Sequence, residues 1–221
     1  MIVQCDFYGT ITTNNLSLLL RERFAIGDFQ KIESACLRGQ LTVEVSNMRQ
    51  YALIKESREK LQEFARQNVE VRLGFLEFTE LCRIAGVRLV IVSSGLDFYI
   101  EAALDKIGAS DLELHCARTA FGEDGIVVSY LDPEGNIIEE GFKKKWLAWL
   151  KGQSDSVTYI GDGLSDLEVA CAADHVFATG HLHTLLSTAS VPHHTFSDFH
   201  DILRQMRHFG RVSATLRRAT P

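Results

Sequence analysis

The chain has 221 residues, of which 46% are hydrophobic and 24% charged, and a formal net charge of −6. That length suits one sizeable core with a modest insertion and excludes two large domains. The acidic balance argues against a nucleic-acid or anionic-membrane surface, and no apolar run approaches the ~18 residues of a membrane span.

Residues 1–7, MIVQCDF, read as a buried first strand and not as a signal segment; the strand delivers Asp6 into the tight polar turn YGTITTNN. Residues 14 to 71 show no convincing strand. They carry helical stripes, Leu16, Leu19, Leu20 and Phe24, then Leu61, Phe64 and Ala65, and so predict a small helical insertion. FLEFTELCRIAG (75–86) predicts a crossover helix ended by Gly86, VRLVIVSS (87–94) a second strand, and DFYIEAALDKIG (97–108) a further helix ended by Gly108. LELHCA (112–117) reads as a strand, and 118–140 as a β-hairpin turning at DPEGN. SVTYIGD (156–162) and HVFA (175–178) supply further strands, and the polar, basic tail at 210–221 is expected to fray. Strands alternating with helices predict an α/β fold with a parallel sheet covered on both faces. Its core is formed by 1–13 and 72–221, and 14–71 are inserted after the first strand.

Five scattered cysteines, Cys5, Cys36, Cys82, Cys116 and Cys171, include no CxxC pair. They predict reduced thiols in a cytoplasmic protein instead of a disulfide framework or a zinc site.

Open parallel sheets bind ligands at the carboxyl ends of their strands. Asp6, Ser93 and Asp162 are expected at three such ends. In GDGLSD, Asp162 and Asp166 stand four residues apart, and with Asp6 they would repel unless a cation sits among them. Hard oxygen ligands with no nearby His or Cys indicate Mg²⁺. In EEGFKKKWLAWL three lysines open a helix against its macrodipole. Two suit a solvated face, and Lys143, the first, is expected to enter the site and hold a phosphate.

Asp-x-x-Gly-Thr, a strand-terminal Ser, a Lys and Gly-Asp-Gly-x-x-Asp, in that order, resemble the haloacid dehalogenase superfamily of phosphohydrolases. Within it, the helical insertion looks like the mobile cap of the phosphoserine-phosphatase branch. VRLGFLEF, SSGLDFYI, VFATGHLHTLL and TFSDFHDIL are similar to the methionine-salvage phosphatases of that branch. The resemblance implies a Rossmann-like core and a small phosphorylated metabolite as partner. Asp6 would be the nucleophile of an aspartyl-phosphate intermediate. Asp6, Asp162 and the backbone carbonyl of Tyr8 would hold Mg²⁺, supported by Asp166. Ser93 and Lys143 would bind the transferred group, and Thr10, Ser94, Gly95, Asn14 and Arg72 would contact substrate. Apolar residues on the cap would permit a homodimer.

Tyr8 departs from the pattern, since phosphatases of this superfamily usually carry Asp there as general acid and base. A phenol with a pKa near ~10 can donate a proton but is a poor base at neutral pH. Three readings follow: a phosphatase with altered proton handling, a metal-independent 2-haloacid dehalogenase, whose relatives share Asp-x-Tyr-Gly-Thr, and a silent phosphate binder.

Overall fold

The computed structural model describes residues 1–206, so the tail at 210–221 lies outside the described residues. Strands β1 (Ile2–Cys5), β2 (Arg88–Leu96), β3 (Glu113–Gly122), β4 (Gly125–Leu131), β5 (Ile137–Ile138), β6 (Val157–Gly161), β7 (His175–Ala178) and β8 (His194–Thr195) form one sheet in the order β5-β4-β3-β2-β1-β6-β7-β8. From β3 through β8 every pairing is parallel, with β1 at the centre. Cys5 pairs with Ile91 of β2 and with Ile160 of β6, so β1 and β6 end within a residue of each other while β2 runs on to Leu96. β1 is buried along its whole length, as expected for a strand covered on both faces.

The hairpin differs from the sequence expectation. β3 does not stop at 117. It continues into an antiparallel pair with β4, closed by the two-residue turn Glu123–Asp124 between the paired Gly122 and Gly125. Asp-Gly is a strong hairpin signal, and Gly125 takes a φ of +125° that other residues avoid. The DPEGN segment makes a second turn, between β4 and the two-residue β5. There the Asp132 carboxylate accepts the backbone N–H groups of Glu134 and Asn136.

Four helices lie between β1 and α5 (Phe75–Ala85): α1 (Leu16–Phe24), α2 (Phe29–Leu37), α3 (Val43–Tyr51) and α4 (Arg58–Asn68). Each opens on a side chain that accepts a backbone N–H three residues on, namely Asn15, Asp28, Thr42 and Ser57. The two chain segments that enter and leave this insertion are tied together. Thr12 and Val71 form an isolated antiparallel bridge, and Asn14 donates to the Asn68 carbonyl and accepts from the Glu70 N–H.

The rest of the chain packs on the sheet. α6 (Asp97–Lys106) follows β2, and α7 (Phe142–Lys151) precedes β6. α8 (Leu167–Ala172) and α9 (Gly180–Thr188) flank β7, and α10 (Phe199–Met206) lies against α5, where Phe199 meets Phe75 and Phe78 at 5.2 Å between ring centroids. All five cysteines are free thiols. Among the described residues no helix is long and apolar enough to cross a membrane.

Candidate active site

Asp6 follows the last residue of β1 and Asp162 the last residue of β6, while Ser93 lies where the pairing of β2 with β3 shifts register between Val92 and Leu96. This register brings these groups to one rim. One carboxylate oxygen from each of Asp6, Asp162 and Asp166 lies within 4.8 Å of the others.

Lys143 comes from the first turn of α7. Gln4 of β1 donates to the Lys143 carbonyl at 3.1 Å and fixes the start of that helix against the central strand. The buried ammonium reaches Oδ1 of Asp6 at 2.6 Å and Oδ1 of Asp166 at 2.6 Å. Its neighbours behave differently: Lys144 pairs at the surface with Glu168, and Lys145 is exposed.

Asp166 has both oxygens occupied. Oδ1 accepts from Lys143 and from the Tyr159 hydroxyl at 2.6 Å, and Oδ2 accepts the N–H groups of Asp162 and Gly163 at 3.0 and 2.9 Å. It therefore orients Lys143 and the 161–163 turn and has little capacity left to ligate a metal itself. Thr10 donates to Oδ1 of Asp162 at 3.2 Å, which places it on the acidic cluster.

The electrostatics follow from burial and crowding. Desolvation, reinforced by Asp166 and Asp162, outweighs Lys143 and pushes the Asp6 carboxyl up to about 8. Burial and Asp166 likewise raise Asp162 to about 6. Burial would also raise Asp166, but Lys143, Tyr159 and the backbone donors hold it below the usual carboxylate range. Burial alone would discharge Lys143; Asp166 and Asp6 overcome that and keep it protonated.

The site fits a divalent cation. Once Asp6 and Asp162 are ionised, three carboxylates against one ammonium leave two excess negative charges, and every donor is a hard oxygen. The carbonyls of Phe7, Gly9 and Thr10 accept hydrogen bonds from Ile11, Thr12 and Arg72, whereas that of Tyr8 accepts none among the described residues.

A cleft of about 270 Å³ opens over Asp6 and is lined by Tyr8, Ser93, Ser94, Gly95, Lys143 and Asp162, with α1 and α3 on its far side. A larger cleft of about 510 Å³ shares Val43, Ser94, Lys143 and Ser165 with it and forms its approach. Ser93 accepts the Gly95 N–H at 3.1 Å.

Two expected substrate contacts are engaged elsewhere. Asn14 ties the two ends of the insertion together. Arg72 donates to the carbonyls of Gly9, Thr10 and Ser197, so it clamps the turn after β1 from behind. Its length lets it reach that loop from the far end of the insertion, which its sequence position does not reveal.

Several site residues carried no local sequence signal. Tyr159 lies two residues before the GDG turn on β6. Asn47 of α3 donates to the Ser94 carbonyl at 2.8 Å and to the Tyr130 hydroxyl at 2.7 Å. Ser17 and Arg21 of α1 and Tyr99 of α6 also line the cleft. Only Tyr99, two residues into the helix that leaves the Ser-Ser-Gly strand end, has a position that could have drawn attention.

A parallel sheet that gathers a carboxylate cluster and a buried lysine at its central strand ends is the arrangement of an α/β enzyme with its site at the carboxyl rim of the sheet. Residues 3–170 match the haloacid dehalogenase-like hydrolase family, and the chain belongs to that family. It is 26% identical over 208 residues to the 2-hydroxy-3-keto-5-methylthiopentenyl-1-phosphate phosphatase of Brevibacillus brevis, covering 92% of this chain and 94% of that one. The protein of the same name from Bacillus mycoides is 27% identical over 214 residues, with 95% and 97% covered. Among solved structures, a phospho-aspartyl intermediate analogue of phosphoserine phosphatase superposes with a TM-score of 0.67 at 20% identity, over 92% of this chain and 97% of that one. Phosphoserine phosphatase in apo form gives 0.63 at 17% identity, with 92% and 97% covered.

Proposed function

We propose that the protein is a Mg²⁺-dependent phosphoric monoester hydrolase that acts on a small phosphorylated metabolite through an aspartyl phosphate on Asp6. The observation that carries this reading is the Lys143 ammonium, held 2.6 Å from Asp6 and 2.6 Å from Asp166 beside a third carboxylate. A lysine so placed aligns one Asp6 oxygen for attack and also faces an incoming phosphoryl oxygen. The names of the relatives, all phosphatases of a phosphorylated metabolite, support the same reading.

An Asp6 oxygen forms a bond to phosphorus as the ester P–O bond breaks and its electron pair leaves with the organic oxygen. Water then attacks phosphorus, the acyl–phosphate bond breaks, and inorganic phosphate departs with the Asp6 carboxylate restored. Asp6, Asp162 and the Tyr8 carbonyl would hold Mg²⁺, which when bound offsets the charge of the phosphoryl oxygens. Helices α1–α4 serve as the cap that shields this chemistry from bulk water.

Tyr8 sets the choice of ester. Burial raises its phenol well above the ordinary range, so it is a poorer proton donor than an ordinary phenol and cannot act as base. That favours substrates whose leaving oxygen needs little protonation, such as an enol phosphate. Reduced cysteines and a metabolite substrate suit the cytoplasm.

The test is phosphate release from a panel of esters with and without Mg²⁺, in native protein and Asp6→Asn. Release that needs the metal and disappears in the variant is expected. Chelator-indifferent halide release from a 2-haloacid would move the assignment to a dehalogenase. Phosphate binding without turnover, with activity gained in Tyr8→Asp, would make the native protein a silent binder.

A further inference from the structure

The helix that carries Lys143 begins without a cap of its own. Gly141 precedes α7 and offers no side chain to its first N–H groups, and the first turn holds three lysines and no acid. Both features oppose a helix start, since its N–H groups need acceptors and its dipole favours negative charge there. The missing acceptor comes from the insertion. Oε1 of Glu44, on α3 and 98 residues earlier in the chain, accepts the Phe142 N–H at 2.9 Å.

Glu44 is itself firmly placed. It is 5% exposed. At the start of α3 the Thr42 hydroxyl donates to the Glu139 carbonyl, and further along Asn47 reaches the Ser94 carbonyl. The far end of α3 fits against the hairpin, where a Cβ on Gly125 would stand 2.2 Å from the Ala52 carbonyl oxygen. α7 is held from the sheet as well, through Gln4 and the Lys143 carbonyl. Phe142 and Lys143, adjacent in the chain, are thus each clamped, one by the insertion and the other by β1.

The ammonium at the end of this chain of contacts has little room for error. It lies 2.6 Å from Asp6 and 2.6 Å from Asp166, and a phosphoryl oxygen must meet the same group. Misplacement by about 1 Å can cost about 10² in rate. Glu44 lines the approach cleft and not the cleft over Asp6, so it acts through α7 and not on the substrate.

We infer that Glu44 is a positioning residue for phosphoryl transfer: by accepting the Phe142 N–H it fixes the first turn of α7 and, through that turn, the Lys143 ammonium. The inference rests on the phosphatase reading above, which gives Lys143 its role. It also ties the chemistry to the insertion, because Lys143 is in register only while α3 is seated on the core.

Glu44→Gln keeps an oxygen opposite the Phe142 N–H, whereas Glu44→Met keeps the length and removes the acceptor. With Mg²⁺ and p-nitrophenyl phosphate, kcat should stay within about threefold of native in the first and fall at least about tenfold in the second. The ammonium is read directly by heteronuclear NMR of the metal-free protein, its signal assigned by its loss in Lys143→Met. Native and Glu44→Gln proteins should give the same Lys143 signal, and in Glu44→Met it should shift or vanish through exchange with water. A Glu44→Met protein with native kcat or a native Lys143 signal, whatever its loss of stability, overturns the inference. Equal losses in the two variants also overturn it, since charge and not the hydrogen bond would then matter. Where Glu44→Met does not fold, Glu44→Asp, which withdraws the oxygen by one methylene, takes its place in the same comparison. If the native protein turns over no ester, the phosphatase reading fails and the Lys143 signal alone decides the positioning role.

Discussion

Gly9 and Asp162 approach so closely that a Cβ built on Gly9 would stand 2.0 Å from Oδ2 of Asp162. The turn after β1 and the turn after β6 are thus fitted to each other, and the carboxylate fills the space a side chain would take. Gly9→Ala should displace Asp162 and lower Mg²⁺ affinity at least about tenfold. It should also cost about 1–2 kcal/mol of stability, because Gly9 has a φ of +62°. Gly39→Ala is the control, with φ of +70° and nothing within 4 Å; it should show the stability loss and unchanged Mg²⁺ binding by calorimetry.

Lys143→Met removes the ammonium shared by two buried carboxylates. Breaking a buried ion network by deleting one partner typically costs about 3–5 kcal/mol, and urea unfolding of the metal-free protein should show a loss of that size. Added Mg²⁺ should recover more stability in the variant than in native protein, because the cation then supplies the missing positive charge. Equal metal-induced gains in both would place Mg²⁺ outside this cluster.

Stability and metal binding should depend on pH in opposite directions. In metal-free protein the Asp6 carboxyl stands near 8 and Asp162 near 6, both above the ordinary value of 3.8. The folded state therefore holds protons that the unfolded chain releases, so stability is lost as pH rises from about 4 to about 8. Metal binding needs the ionised forms and should strengthen over that window, by about tenfold per pH unit for each proton displaced. Thermal unfolding at fixed Mg²⁺ should accordingly show a larger metal-induced rise in Tm at about pH 8 than at about pH 5.5.

Tyr8→Asp restores a carboxyl two residues after the nucleophile. Turnover of an alkyl phosphate should rise by about 10², at the lower end of what general acid–base assistance contributes. p-Nitrophenyl phosphate has a leaving group that needs no proton, so its turnover should change by less than about fivefold. Parallel changes in the two would show that Tyr8 limits something other than proton transfer.

Much of the architecture was legible because the signals are local. Asp6 and Asp162 end apolar runs, parallel pairing levels those runs, and the two carboxylates must then share a rim. Lys143 was legible as a charge opposing a helix dipole. The turn at DPEGN was legible and joins β4 to β5, whereas the tight Glu123–Asp124 turn between β3 and β4 was missed because its signal, Asp124–Gly125, is brief. Arg72 and Tyr159 were hidden for a different reason. Their partners lie 62 residues before Arg72, at the Thr10 carbonyl, and seven residues after Tyr159, at Asp166, and only folding brings those atoms together.

Asp166 gathers donors from two separate stretches of chain, Lys143 of α7 and the end of β6 with the turn that follows it. A misthreaded chain would strand that anion in the protein interior with nothing to balance it. Maturation of the reaction centre and completion of the sheet are for this reason one cooperative event, and an error in either is rejected by the same electrostatic checkpoint.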